Sequence, residues 1–90
     1  MPAFSDESLT RIIQALASCE RRNPLYHDEL TQDCLAASFG YGEGIEIRLE
    51  NGKYQCRQQR ERSIAIDTYP DEAAAVDHFI RVCRGGLSGF

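Results

Sequence analysis

No stretch of this chain is apolar for the length a bilayer span needs, and Met1 to Glu7 supply neither the basic nor the apolar segment of a secretory leader. Both absences lead to the expectation of a soluble, cytoplasmic protein. Close cysteine pairs are missing too. Cys19, Cys34, Cys56 and Cys83 stand far apart without a CxxC or CxxxC, and with two histidines, His27 and His78, they do not read as a zinc site. In a reducing compartment each is expected to be a free, small buried hydrophobe.

Catalytic motifs are absent as well. There is no GxSxG, and the neighbours His27, Asp28 and Glu29 cannot share one face of a helix or strand. Gly40, Gly42 and Gly44 match neither GxGxxG nor GK[ST], which leaves a turn as their reading. His78 falls on the polar side of its segment and reads as a surface residue. The expectation is a domain that is not an enzyme and uses no cofactor or metal.

Ninety residues suffice for one domain, 1–90, with a single modest core. Lys and Arg number 10 against 14 Asp and Glu, for a formal net charge of -4. An acidic domain is a poor non-specific binder of nucleic acid, because neutralising phosphates supplies most of that affinity. It suits a basic protein partner better. The alternative is a small regulatory or nucleic-acid-binding domain using Arg48, Arg57, Arg60 and Arg62.

The chain is organised around a hairpin. Ile45, Ile47 and Leu49 alternate with Glu46, Arg48 and Glu50, and Asn51-Gly52 then signals a two-residue type I′ turn. That turn sets Glu50 opposite Lys53, Leu49 opposite Tyr54, Arg48 opposite Gln55, Ile47 opposite Cys56 and Glu46 opposite Arg57. After a polar link, Gln58 to Arg62, a strand over Ser63 to Tyr69 is expected with Ile64 and Ile66 on the buried face. Glu46, Arg48, Gln55, Arg57, Ala65 and Asp67 would then face solvent.

Helices flank this unit. Ser5 reads as an N-cap, Asp6 and Glu7 complement the helix dipole, and Phe4 and Leu9 form a hydrophobic staple. Leu9, Ile12, Ile13, Leu16 and Cys19 make the apolar stripe, and Arg21-Arg22 followed by Asn23-Pro24 the end. The second helix begins at Pro70-Asp71-Glu72, carries Ala73, Val76, Phe79, Ile80 and Cys83 inward, and stops at Gly85-Gly86; the tail 87–90 is expected to be loose. Residues 25–44 fit either a helix capped by Asp28 or a strand over about Cys34 to Phe39, with the pattern leaning to the strand. The fold class expected is α+β, an antiparallel three- or four-stranded meander packed against an N-terminal and a C-terminal helix.

GIEIRLENGKYQC followed by SIAIDTYPDEAAAVDHFI resembles the hairpin, strand and closing helix of small bacterial immunity proteins that accompany polymorphic toxins, notably in contact-dependent growth inhibition. The resemblance covers about the last half of the chain. It implies a cytosolic antitoxin that binds a cognate C-terminal toxin domain, often a nuclease, and blocks its active site or an essential surface. No contact residue carries over from it. The candidate partner-binding residues come instead from tyrosines and acids expected at the surface: Tyr26, Asp28, Glu29, Asp33, Tyr41, Glu43, Glu46 and Asp67.

Overall fold

The computed structural model describes residues 3–17, 27–40 and 42–85. Its elements are helix α1 (Asp6–Ala17), strands β1 (His27–Leu30), β2 (Cys34–Gly40), β3 (Glu43–Glu50), β4 (Lys53–Arg60) and β5 (Ser63–Tyr69), and helix α2 (Glu72–Gly85). The strands form one antiparallel sheet in the order β1-β2-β3-β4-β5, each paired with its sequence neighbours. The α+β class and the two flanking helices match expectation. The strand number does not, since five strands are present where three or four were expected.

The hairpin register is the one the turn dictates. Asn51 and Gly52 both take positive φ, 51° and 78°, and the five predicted cross-strand pairs all occur. Cys34–Gly40 is a strand, which settles the ambiguity of that stretch. The added strand is β1, four residues in which Leu30 is the single apolar side chain. So short and polar an edge strand carries no alternation to read. Thr31 closes its turn into β2: the Thr31 hydroxyl accepts from the Cys34 and Asp33 N–H groups at 3.0 and 3.2 Å.

β5 departs from expectation in a way that matters for the site. Gln58, Gln59 and Arg60 extend β4, and the connection is a two-residue turn, Glu61-Arg62, closed by the pair Arg60–Ser63. Cys56 therefore faces Asp67, and Gln58 faces Ala65. Side chains on one face of a sheet stay in phase across paired strands, so Ala65, Asp67 and Tyr69 join the helix-covered face. Ile64 and Ile66 lie on the open face, 53% and 55% exposed, the reverse of the expected arrangement.

Both helices contribute to one core on the other face. Phe4, Ile12, Leu35, Ile47, Cys56, Val76 and Phe79 are fully buried there, joined by Leu16, Ala37, Phe39, Ile45, Ala75, Val82 and Cys83. Each large apolar side chain so buried contributes about 1.5–3 kcal/mol. Two helix stripes are rotated from expectation. Ile13 is 57% exposed, and α2 buries Ala75 and Val82 while Ala73 is exposed. Leu49, at the end of β3, is 40% exposed, beyond the edge of the core.

Polar contacts lock the helix starts. Ser5 caps α1, its hydroxyl accepting from the Ser8 N–H at 3.2 Å, and Asp71 caps α2, its carboxylate accepting from the Ala74 N–H at 2.8 Å. Asp71 is thus the cap and Pro70 precedes the helix. Tyr54 packs its ring against Phe4 at 5.4 Å and donates its hydroxyl to the Ala3 carbonyl at 2.7 Å. Arg11 pairs with Asp77 across the two helices. The predicted end of α1, Cys19, and the tail 87–90 lie outside the described residues.

Candidate functional site

The open face of the sheet is built from rows of paired side chains. One row runs Glu29, Ala36, Glu46, Arg57, Ile66; the next runs His27, Ser38, Gly44, Gln59, Ile64; a third runs Cys34, Arg48, Gln55, Thr68. Where these two rows cross β2 the side chains are small, Ala36 and Ser38, and the second row crosses β3 at Gly44. The result is a shallow trough of about 410 Å³, floored by Ala36, Ser38 and Gly44 and rimmed by His27, Glu29, Glu46, Arg57 and Gln59, with Glu43 also in its lining.

The floor is fixed by backbone geometry. The β2–β3 ladder shifts register between Ser38 and Gly40, next to Gly44. A Cβ added at Gly44 would sit 2.8 Å from the Ala37 carbonyl oxygen, so the position is closed to any side chain without movement of the strands. Gly40 and Gly42 then carry the chain round with φ of 84° and 76°.

Charge along the face alternates. Glu46 forms an ion pair with Arg48 at 2.8 Å and stands opposite Arg57 in the register. Glu46, Arg48, Glu50, Gln55 and Arg57 line a second, smaller hollow of about 250 Å³ beside the trough. Burial and the charge of Glu46 push the Cys34 thiol up, against the pull of Arg48, so that it stays protonated at neutral pH. Cys56, in the core, is pushed up to about 12 by burial and then by Asp67. Among the described residues no group of three or more His, Cys, Asp or Glu is placed to hold a metal.

Of the candidate residues, Glu29, Glu43 and Glu46 all line the trough, with Glu29 and Glu46 in one row of the open face and Glu43 in phase with buried Ile45 on β3. The others do not join them. Asp28 is half-buried on the helix-covered side of β1, where it pairs with Ala37; Asp33 lies in the β1–β2 turn; Asp67 belongs to the helix-covered side of β5. Tyr26 and Tyr41 lie outside the described residues. The arginine cluster is also divided, with Arg48 and Arg57 on the open face, Arg60 half-buried on the other and Arg62 in the turn.

Two features escaped the sequence reading. Ile64 and Ile66 stand on β5 beyond Gln59 and Arg57, exposed aliphatic groups on the same face as the trough, and the length of the Glu61-Arg62 turn is the signal that would have placed them. His78 is half-buried, not a free surface residue: its Nε2 meets Gln58 Nε2 at 2.7 Å and its ring lies 5.0 Å from that of Tyr69. Gln58 is the one buried polar side chain of the described core, and no apolar pattern marks it.

Neither helix among the described residues is long and apolar enough to cross a membrane. Comparison with protein-family models, with curated proteins and with solved structures gave no match.

Proposed function

We propose that this chain is a cytosolic immunity protein, a non-enzymatic antitoxin that neutralises a cognate toxin domain by protein–protein contact through the open face of its sheet. The observation that carries this reading is the placement of Glu29 and Glu46 in one row along a concave surface with a floor of small residues. A trough of this volume accepts a protruding arginine or lysine, and the carboxylates of Glu29 and Glu46 on the open face give that cation its partners, Glu46 by exchanging its pairing with Arg48. Exposed Ile64 and Ile66 on the same face add apolar contact of the kind found at interface centres. The formal charge of -4 favours encounter with a basic partner, such as a nuclease domain.

The arginine alternative has less to support it. Arg48 is engaged by Glu46, and acids separate the open-face arginines, so a continuous cationic track for phosphates is missing from this face.

The test is co-expression with the toxin domain encoded beside the gene. The expected result is a stoichiometric complex and protection of the cells, with Glu29→Lys and Glu46→Lys combined weakening binding at least about tenfold. A toxin that kills equally with and without this chain, and leaves no complex after purification, would overturn the proposal.

A further inference from the structure

We propose that β5 pairs edge to edge with β5 of a second copy of this chain, joining two five-stranded sheets into one continuous sheet about a two-fold axis at Ile66. The two edges of the sheet are unlike. β1 is four residues long and carries Asp28 and Glu29, both of which are standard protections against strand addition. β5 is seven residues long, unbroken by proline, lysine or bulge. Among the described residues no strand pairs with its outer edge.

The backbone of β5 shows what that edge offers. In an antiparallel ladder alternate residues turn their N–H and C=O away from the partner strand. Counted from Arg60–Ser63, which closes the two-residue turn as a hydrogen-bonded pair, the outward groups belong to Ile64, Ile66 and Thr68. Those same residues carry their side chains on the open face, with Ile64 and Ile66 more than half exposed.

A second copy fits this edge in one register better than in its neighbours. With Ile66 opposite Ile66 of the second copy, Ile64 falls opposite Thr68 in both directions, so every outward N–H and C=O of the three residues finds a partner. β-branched side chains then meet β-branched side chains across the axis, a favourable cross-strand pairing. Asp67, the only charged residue of β5, stands opposite Ala65 of the second copy. Sliding the strands by two residues in one direction sets the two Asp67 side chains directly against each other, and sliding them in the other leaves Thr68 outside the pairing. A two-fold contact of this kind is self-complementary and closes at the dimer. It uses none of the residues that line the trough, although Ile64 and Ile66 also belong to the face proposed for the partner.

The experiment is sedimentation equilibrium of the full chain across a concentration series. Wild type is expected to pass from monomer to dimer. Ile66→Lys and Ile66→Glu each place like charges together on the axis, and each should raise the dissociation constant at least tenfold. An equimolar mixture of the two should recover the dimer as the Lys/Glu pair. Thr68→Pro, which removes an outward N–H and leaves the β4 ladder intact, should weaken the dimer as well and serves if either charged variant loses its circular dichroism spectrum. A wild type that stays monomeric to about 0.5 mM would overturn the inference, as would a dimer that none of the variants weakens. Failure of the mixture to restore a dimer that each variant alone had lost would overturn the Ile66-centred register.

Discussion

His78 Nε2 lies 2.7 Å from Nε2 of the buried Gln58, a contact that ties the middle of α2 to β4. With the amide nitrogen facing the ring, the amide donates and the imidazole accepts, which requires the neutral ring. Tyr69 covers the ring on one side, and burial followed by the positive Arg81 lowers the His78 pKa, with Asp67 opposing them. Protonation would set two donors against each other in a half-buried site.

Stability should therefore depend on this one histidine. Its folded pKa lies below the ordinary value of 6.5, so the contribution of the neutral ring is complete above that pH and is lost as pH falls through it toward the folded value. Urea midpoints measured from about pH 7.5 down to about pH 5.5 should fall more steeply for wild type than for His78→Gln, which cannot take up the proton. Parallel slopes for the two proteins would show that the ring is not held neutral by the fold.

The same contact shows where sequence reasoning stops. Asn51-Gly52 fixed the β3–β4 register because the turn type and the alternation of Ile45, Ile47 and Leu49 agree. Gln58, Gln59 and Arg60 carry no apolar marker, so they read as a link when they are the end of a strand. That misplaced the following turn and with it the parity of β5, which exchanged Ile64 and Ile66 for Ala65 and Asp67 between the two faces. A one-residue error in register moves every side chain, and the trough was affected in the same way. Glu29, Glu43 and Glu46 were legible as exposed acids, whereas the row that brings Glu29 and Glu46 to either side of Ala36 depends on β1, whose pairing no pattern in His27–Leu30 announces.

Neighbouring isoleucines in α1 give a direct check on how the helix sits. Ile12 is fully buried and Ile13 is 57% exposed, although both belong to the apolar stripe by spacing. Ile12→Ala is expected to cost about 2–5 kcal/mol. Ile13→Ala should fall within about 0.5 kcal/mol of wild type. Comparable losses at both positions, measured by urea unfolding, would mean that α1 is rotated from the orientation described.

Glycine positions in the β3 hairpin separate steric from conformational demands. Gly52 takes φ of 78° in open space, so Gly52→Ala carries only the left-handed backbone cost of about 1–2 kcal/mol. Gly44 needs no unusual φ, but its added Cβ would meet the Ala37 carbonyl oxygen at 2.8 Å. Both atoms belong to paired strands, so relief requires the ladder to open, and Gly44→Ala should cost more than Gly52→Ala. The variant should also shift the amide resonances of Ala37 and Ser38 in a proton–nitrogen spectrum, whereas Gly52→Ala should leave them in place. The opposite ranking would place the strain in the turn and not beneath the trough.

Glu72, in the first turn of α2, reaches across to the start of α1. Its Oε2 accepts from the Ser5 hydroxyl at 2.9 Å, from the Ser5 N–H at 3.2 Å and from the Ser8 hydroxyl. Hydrogen bonding from Ser8 first, then from Ser5, holds this carboxyl below its ordinary value of 4.5 against the effect of burial. The charged form is thus the one the fold favours, and its contribution is present above that value and lost as pH falls through it toward the folded pKa. Glu72→Ala leaves the Ser5 N–H and two hydroxyls without their acceptor and is expected to cost about 1–2 kcal/mol at neutral pH. Glu72→Gln keeps an acceptor oxygen but no charge, so it should lie between the two and show a shallower loss of stability below about pH 4.5 than wild type. Because the contact joins the N-termini of both helices, the Ala variant should raise amide exchange at the start of α1 although the substitution lies in α2. Exchange confined to α2 would mean that Ser5 caps α1 without help from Glu72.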